Sequence, residues 1–543
     1  MDAISIGIFL FIVGSLASLA LGSKPSLSRF VSLGFAIAAC SFCLWGSLMG
    51  LTGDSPEVFW GNLDSPLSFH YRIGSLGAVF ALMIAALGLV SSFYALGYAK
   101  EYEDRAANLG FFYNLFLAGM FLVPCARNVW SFLFSWEAMT VASFFLVILD
   151  HERQEARKAA YLYLVMSQIS AAFITAFFFL LYRATGSLEF SVFETAGPSL
   201  DPGLKSVLFL LALIGFGIKA GVVPLHLRLP YAHPAAPSHV SALMSGVMIK
   251  TGIYGLVMAV FYFLGGGPWW GGSLVLILAA TTATFGILHA LMERDLKRLL
   301  AYSSIENIGI ILMGVGAGML FASLGHFEMA ALAIGAGLYH AINHAVFKGL
   351  LFLGAGSVLK ATHTRNMEEM GGLIKKMPVT AFAFLIGSLA ISGLPPFNGF
   401  VSEWLTFQAL LSGFGLSSTM ARILCLVVAS ALALTGGLAA ACFVKAFGIT
   451  FLAQPRSQHA KEAKESSFFE KTSLRILSAG CLALGIFPTK VLGVLKLTIF
   501  PLTAHEIATP LGLPGDFLVT RFGSLFPLAL LATLALGCLN AWA

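Results

Sequence analysis

Residues 205–264 read KSVLFLLALIGFGIKAGVVPLHLRLPYAHPAAPSHVSALMSGVMIKTGIYGLVMAVFYFL and contain two apolar runs, each with one lysine near its middle. Lys219 precedes Gly221 and Pro224, and Lys250 lies in the second run. An ammonium group at the centre of a bilayer costs several kcal/mol of free energy. One buried lysine in a soluble core is compatible with an accident of packing. Two mid-span lysines beside a Pro/Gly break indicate an ion path.

The composition is that of a membrane protein. Of the 543 residues, 58% are hydrophobic and 11% are charged, whereas soluble domains carry roughly 25% charged residues. The first apolar run lacks a basic n-region and a small-residue cleavage site, so we expect a retained span and not a signal peptide. Apolar runs of about 20 residues predict an all-α polytopic membrane protein with about fifteen spans, at 4–21, 29–51, 73–97, 109–126, 128–149, 159–182, 206–225, 238–264, 273–292, 299–319, 328–359, 378–412, 421–452, 474–500 and 523–542.

The basic residues predict the orientation of these spans. Twenty of the 32 Lys and Arg residues fall in loops on one side, eight fall on the other side, and four lie inside spans. Because cytoplasmic loops carry the excess of Lys and Arg, we expect the N-terminus outside and the C-terminus in the cytoplasm. This asymmetry explains the net charge of +6 without a nucleic-acid partner. We therefore expect a multi-pass protein in the lipid bilayer of the inner (cytoplasmic) cell membrane.

The seven cysteines indicate no cofactor site. Cys40 and Cys43 form a CxxC, but it lies inside an apolar run without another ligand nearby, and free Cys commonly packs as a small hydrophobe. The sequence contains no CxxCxxC cluster, CxxCH motif or GxGxxG loop. We expect no cofactor in this chain.

The fifth predicted span places a glutamate near mid-membrane. Glu137 lies inside NVWSFLFSWEAMTVASFFLVILD (128–150). A carboxyl group at that depth holds its proton unless a cation is close. Two interpretations stay open at this point, a site carboxylate and a neutral glutamate whose hydrogen bond packs two helices together.

The seventh span is expected to break. Proline removes a backbone donor and clashes with the preceding turn, so the helix that carries Lys219 should end before Pro224. Irregular backbone at membrane depth is tolerated where it lines a cavity. The following LHLRLPYAHPAAPSHV (225–240) predicts a loop that re-enters the next helix at Ser238. Three histidines in it would either relay protons or lie solvated at the membrane edge: His226, His233 and His239.

The eleventh span carries a row of basic side chains. His340, His344 and Lys348 recur every four residues, so they share one helix face, with steps of roughly 6 Å along the axis. One water can bridge each gap, which favours a proton relay. HxxxH on a helix can also bind zinc, but an HExxH glutamate and a third ligand at motif spacing are missing. A metal site is therefore the weaker interpretation.

A second break suggests an internal repeat. ISGLPPFNGF (391–400) precedes Glu403 in span twelve, and Lys445 lies in span thirteen. Because the broken spans are five apart, an odd number, the two units would have opposite orientations, as in inverted repeats. The same offset pairs Lys219 with Glu403 and Lys250 with Lys445. We predict four regions: N-terminal spans one to three (1–105), a first five-helix repeat (106–270), a second, inverted repeat (271–455) and C-terminal spans fourteen and fifteen (456–543).

Several segments carry a family resemblance. They are SWEAMTVASFFLV (135–147), GFGIKAGVVPLHLRLPYAHPAAPS (215–238), ALMSGVMIKTGIYGL (242–256), DLKRLLAYSSIENIGII (295–311), YHAINHAVFKGLLFLGAGSVL (339–359) and ISGLPPFNGFVSEW (391–404). Over about residues 75–455, this ordered set resembles the antiporter-like subunits of complex I and the large subunits of cation/proton antiporter complexes and membrane-bound hydrogenases. HTRNMEEMGGL (363–373) and CFVKAFGITFLAQPRS (442–457) look most similar to the large membrane subunit of hydrogenase-4 and formate hydrogenlyase.

The resemblance implies a proton-translocating subunit of a multi-subunit membrane oxidoreductase. Such a subunit holds no cofactor of its own, and its partners are other membrane subunits and a peripheral oxidoreductase arm. Glu137 and Lys219 would form a coupling pair, Lys250 would connect it to the row in span eleven, and Glu403 would exchange protons with one side. Separating the coupling pair removes a counter-charge, so the lysine passes its proton on. The expected translocation residues are Glu137, Lys219, Lys250, His340, His344, Lys348, Glu403 and Lys445.

Two other functions fit the same motifs. One is a Na⁺/H⁺ antiporter subunit that works without a redox partner, which predicts sodium-dependent transport. The other is an inactive membrane anchor for a soluble hydrogenase or dehydrogenase, in which neutralising Glu137 or Lys219 would leave proton movement unchanged. A chain that performs redox chemistry alone is disfavoured because cofactor ligands are missing from the sequence.

Overall fold

The computed structural model describes residues 2–53, 55–61, 68–503, 518–520 and 523–525. The chain is predominantly helical, at 82%. The predicted fifteenth span, 523–542, lies outside the described residues except at its first three positions.

The first half of the described chain begins with two long helices and a short antiparallel hairpin. The hairpin consists of β1 (Val58–Trp60) and β2 (Phe69–Tyr71), with Phe59 opposite His70. The helices are α1 (Ala3–Ala20), α2 (Pro25–Thr52), α3 (Ser75–Tyr98), α4 (Ala106–Leu122), α5 (Val129–Val147), α6 (Gln154–Thr185), α7 (Phe190–Ala196), α8 (Pro202–Ala220), α9 (Leu229–Ala235), α10 (Ser238–Leu243) and α11 (Ile249–Val257).

The second half continues with helices alone up to residue 503. They are α12 (Gly271–Met292), α13 (Leu296–Ser323), α14 (Phe327–Thr362), α15 (Pro378–Ile391), α16 (Asn398–Ser412), α17 (Thr419–Phe451), α18 (Gln458–Glu462), α19 (Phe468–Ile486) and α20 (Pro488–Thr503). Two further strands pair antiparallel, β3 (Leu518–Thr520) and β4 (Gly523–Leu525). The π-helical segment Met244–Met248 joins α10 to α11, and a second one, Met258–Phe263, extends α11, so that Ser238–Phe263 is one continuous helix.

The described residues contain eleven helices that are long and apolar enough to cross a membrane, or twelve if α19 and α20, which are bent by 82°, count as one span. The predicted number of about fifteen spans is therefore not confirmed. Two features account for part of the difference. α3 and α4 form a single apolar stretch of 51 residues, Ser75–Cys125, and α15 is only 14 residues long.

Both predicted helix breaks are present. α8 ends at Ala220 and is capped by Gly221, whose φ of 90° is left-handed, and the chain turns before it forms α9. α15 ends at Ile391, and Gly393 has a φ of 61° before α16 begins at Asn398. Glycine adopts this conformation without the steric cost that a side chain would add.

Small residues bring α12 and α13 into direct backbone contact. A Cβ at Gly286 of α12 would lie 2.4 Å from the backbone nitrogen of Glu306, and one at Gly309 of α13 would lie 2.5 Å from the nitrogen of Ala283. Such glycines let membrane helices approach closely. The close approach fixes α13, whose residues face the site described next.

Candidate functional site

The first basic group, Lys219, lies in the last turn of α8, just before the break. Its side chain is completely buried, and Nζ donates a hydrogen bond to Thr140 Oγ1 of α5 at 2.9 Å. The ammonium group also lies over the ring of Trp136, 5.1 Å from the centroid. Glu137, one turn from Thr140, attracts Lys219 electrostatically, but the two make no ion pair within 4.0 Å. The predicted coupling pair therefore makes no direct ion pair in this structure.

Glu137 makes its own contact with α6. Gln168 Nε2 donates to Glu137 Oε2 at 3.1 Å, while Oε1 is buried without a hydrogen-bond partner. The bond to α6 is the helix-packing contact that the sequence left open as an alternative. The unpartnered oxygen leaves one acceptor available to a cation.

Arg228 holds the end of the broken helix and was missed in the sequence. It is buried, and its guanidinium donates to the carbonyl oxygens of Ile218 (3.2 Å) and Lys219. Those carbonyls are the groups that a helix C-terminus leaves without partners. The guanidinium also packs over the ring of Tyr163, 5.1 Å from its centroid. Arg228 repels the ammonium of Lys219 beside it.

The centre of the site joins α11 to α14. Lys250 Nζ donates to the backbone oxygen of Ser245 at 2.6 Å and shares a hydrogen bond with His344 Nδ1. His340 and His344 lie parallel, with ring centroids 6.5 Å apart. We call Lys250, His344, His340 and Lys348 the central chain. All four side chains are completely buried.

The far end of the central chain reaches the second broken helix. His340 Nδ1 is 2.9 Å from Ser402 Oγ of α16, and His340 Nε2 is 3.1 Å from Asn307 Oδ1 of α13. Ser402 precedes Glu403, which is 8% exposed and lines a cavity of about 310 Å³ with Phe400, Trp404, Phe407, Leu411 and Gly393. His340 is thus hydrogen-bonded to Ser402, whose neighbour in the sequence, Glu403, lines a cavity.

Lys348 and Lys445 have different surroundings. Lys348 Nζ donates to Ser303 Oγ of α13 at 2.5 Å. Lys445 is half-buried, and its Nζ donates to the backbone oxygens of Leu291 (2.7 Å) and Glu293 (2.6 Å) at the end of α12. Lys445 therefore caps the carbonyls of a helix C-terminus, a contact that is favourable for a cation. The structure does not bring it into the central chain.

The three histidines of the first break are buried, so they are not solvated loop residues. His226 packs against Phe285 (4.7 Å) and His233 against Phe352 (5.8 Å). His239 lies between the rings of Tyr98 and Tyr113, and neither of its ring nitrogens has a hydrogen-bond partner in the described structure.

A polar cavity opens beside this break. It has a volume of about 560 Å³, and Lys297 at its wall donates to the backbone oxygen of Ala236 at 2.6 Å. Its charged lining consists of Arg105, Arg153, Lys297, Lys360 and Arg365, with Glu101, Asp104 and Asp150. We call this cavity the vestibule.

Comparison with known proteins identifies the family. Residues 126–433 match the transmembrane domain described as NADH:quinone oxidoreductase/Mrp antiporter. The chain belongs to this family. Hydrogenase-4 component B of Escherichia coli K12 is 41% identical over 500 residues, which cover 90% of this chain and 73% of that protein. Formate hydrogenlyase subunit 3 of the same organism is 31% identical over 536 residues, 98% and 85% of the two chains.

A solved structure shows the same fold. The membrane-bound sulfane sulfur reductase, an archaeal respiratory membrane complex, superposes with a TM-score of 0.82 at 26% identity, covering 99% of this chain and 84% of that chain. The predicted family resemblance is confirmed, including its hydrogenase-4 and formate hydrogenlyase branch. The relatives are subunits of multi-subunit membrane complexes.

All the predicted site residues except Lys445 lie within the NADH:quinone oxidoreductase/Mrp antiporter domain. Sequence reasoning missed Thr140, Arg228, Asn307, Ser402 and, most notably, Glu306. Of these residues, only Glu306 could have been found from the sequence, because a carboxylate inside an apolar span is rare. No group of three or more His, Cys, Asp or Glu side chains in the described residues could hold a metal ion.

Proposed function

We propose that this antiporter-like membrane subunit translocates protons through a chain of buried Glu, Lys and His side chains, as part of a multi-subunit membrane oxidoreductase. The observation that carries the proposal is the set of buried contacts between α11, α14 and α16. Lys250 shares a hydrogen bond with His344, the His344 and His340 rings lie parallel with centroids 6.5 Å apart, and His340 bonds Ser402, the residue before Glu403. Burying ionisable groups is expensive unless they are paired or functional.

The charges explain how a proton would advance. The Glu137 carboxylate attracts the Lys219 ammonium from a distance, and the nearby Arg228 guanidinium repels it. Moving Glu137 toward Lys219 stabilises the ammonium, and moving it away favours loss of the proton. Lys250 and Lys348 repel each other within one buried row. A proton that arrives on Lys348 therefore disfavours a proton on Lys250, and His344, which is hydrogen-bonded to Lys250, can accept the proton that Lys250 releases.

The two cavities supply access. The vestibule is lined by basic residues on the side that the positive-inside rule assigns to the cytoplasm. The smaller cavity reaches Glu403. We infer uptake at the vestibule and exchange with the other compartment at Glu403. The proposed arrangement keeps the N-terminus outside, the C-terminus in the cytoplasm, the four regions 1–105, 106–270, 271–455 and 456–543, and an inverted pairing of the two broken-helix units. Other membrane subunits and a peripheral oxidoreductase arm would be its partners.

The test is proton translocation by the complex, isolated with its partner subunits and reconstituted in liposomes. Lys219→Ala should lower translocation by at least about tenfold, since a positioned proton-transfer group contributes roughly 10²–10⁴-fold to rates. Lys205→Ala is the matched control, because Lys205 lies on the same helix but bonds the Pro198 carbonyl at its exposed end. If Lys219→Ala assembles and pumps as well as the Lys205 variant, the inactive-anchor function replaces this proposal.

Sodium/proton antiport without a redox partner is the second candidate function. The family description includes Mrp antiporters, which is the observation in its favour. It shares the broken helices and the central chain, so the site residues alone do not separate it from the first candidate. Its distinguishing property is a requirement for Na⁺.

A further inference from the structure

The interior of the described structure holds three buried Asp or Glu side chains, and one of them has no assigned role. Glu470 forms an ion pair with Lys360 at 3.2 Å and caps its own helix. Glu403 belongs to the proposed path. Glu306, in the middle of α13, is 1% exposed. It makes no ion pair within 4.0 Å in the described part of the chain, so it does not serve as half of a structural salt bridge.

The neighbours of Glu306 on α13 bind both sides of the central chain. Ser303, one turn earlier, accepts the hydrogen bond from Lys348. Asn307, the next residue, bonds His340 through Oδ1 and donates through Nδ2 to Glu306 Oε2 at 3.4 Å. Residues three apart on a helix share a face. Glu306 therefore sits between the contact points of Lys348 and His340.

The electrostatics place Glu306 between a cation and a second carboxyl group. Lys348 attracts Glu306, and Glu403 repels it. Lys250, Lys348 and His340 repel one another's positive charge within the central chain, whereas Glu306 and the Cys442 thiol act in the opposite sense on Lys348. Glu306 is thus the carboxylate that faces this cationic row from α13.

The backbone around Glu306 cannot move far. Gly286 of α12 packs directly on it, because a Cβ there would lie 2.4 Å from the Glu306 nitrogen and 2.9 Å from its Cα. Helices packed this closely do not leave room for the backbone of Glu306 to shift away from Lys348. The Cα from which the Glu306 side chain extends is therefore fixed in place against α12.

We propose that Glu306 is a proton-carrying residue that passes protons from Lys348 toward Glu403. In the first step the Lys348 ammonium gives its proton to the Glu306 carboxylate, which leaves a neutral amine and a neutral carboxylic acid. In the second step Glu306 gives that proton to the Glu403 carboxylate and becomes ionised again. No net charge is created in either step. This inference rests on the proposed proton translocation.

The experiment compares variants of the reconstituted complex side by side. Glu306→Gln keeps the shape but cannot carry the proton, and we expect translocation to fall at least about tenfold. Glu306→Asp keeps the carboxyl group but shortens the side chain by one methylene. Its rate of proton translocation should lie between the rates of Glu306→Gln and wild type. Glu368→Gln removes a carboxylate from an exposed loop and should match wild type.

Lys219→Ala in the same series separates the two claims. If Lys219→Ala stops translocation while Glu306→Gln pumps like wild type, the Glu306 proposal fails and the proposed function stands. If Lys219→Ala also pumps like wild type, the proposed function itself is wrong. Should Glu306→Gln not assemble, Glu306→Leu, which also lacks a group that can carry the proton, decides the question: wild-type pumping by that variant overturns the proposal.

Infrared difference spectroscopy of the complex gives an independent readout. A protonated carboxyl group has a C=O band that shifts in D₂O, and pumping conditions should change the intensity of a band that disappears in Glu306→Gln but persists in Glu368→Gln. A purely structural Glu306 would show no such change during turnover, which would contradict the proposal.

Discussion

Lys219 and Lys250 are stabilised in different ways, although both are completely buried. Lys250 is bound by a backbone carbonyl and by His344, both of which stay in place on packed helices. Lys219 depends on one hydroxyl, on the face of Trp136 and on a distant carboxylate. The charge of Lys219 is consequently the easier one to change by moving a neighbour, as a coupling residue requires.

The Thr140 hydroxyl can be removed without changing the side-chain shape. Thr140→Val leaves the Lys219 ammonium without its hydrogen bond, and leaving a buried donor unsatisfied costs about 1–3 kcal/mol. We expect a lower thermal unfolding midpoint of the complex and translocation slowed several-fold. The control is Thr281→Val, because the exposed Thr281 hydroxyl bonds only carbonyls of its own helix. Equal midpoints and rates in the two variants would show that Thr140 does not hold Lys219.

At the scale of single elements, the two broken helices differ in what their glycines face. Gly221 is left-handed and a Cβ there would meet the side chain of Leu229 at 2.9 Å. Gly393 is also left-handed, but a Cβ there would lie 2.6 Å from Glu403 Oε2. The first break is packed against an apolar side chain, and the second is packed against a carboxyl group of the proposed path.

Gly393→Ala tests that second contact. A side chain in the left-handed region costs about 1–2 kcal/mol, and the added methyl group would also displace the Glu403 carboxyl group. We expect reduced stability together with slower proton translocation. Gly437→Ala on α17 is the control, since nothing lies within 4 Å of a Cβ there. Translocation that is unaffected in assembled Gly393→Ala would mean that the position of Glu403 does not limit the rate.

The elements that were predicted correctly depend on local sequence. Apolar runs and Pro/Gly clusters determine helices and helix breaks from neighbouring residues alone. The spans around Lys219 and Lys250 and both breaks could therefore be predicted. The contacts of Glu306 could not, because they require knowing which face of α13 meets α14. Lys445 shows the same limit: its depth in an apolar run suggested a path residue, but its carbonyl partners belong to a helix more than 150 residues earlier.

At the scale of the whole molecule, the buried path is built mainly from nitrogen groups. Lys250, His344, His340 and Lys348 form its middle, and carboxyl groups lie only toward its ends and beside it. Hard cations such as Na⁺ are bound by oxygen ligands, and a row of lysines repels them when protonated. Amines and imidazoles bind and release protons instead. The path proposed here would therefore favour proton transfer over sodium transfer.

Replacing Na⁺ with choline in the reconstituted system tests this preference. If protons alone move through the path, the rate of proton translocation in choline should stay within about twofold of its value in Na⁺. The screening of surface charges depends on ionic strength, so it stays the same when one salt replaces the other. The matched comparison keeps ionic strength constant and includes Lys219→Ala, which should remain inactive in both salts. A wild-type rate that falls with Na⁺ concentration would contradict the proton-only path and favour the Na⁺/H⁺ antiporter, whose exchange needs sodium on one side of the membrane.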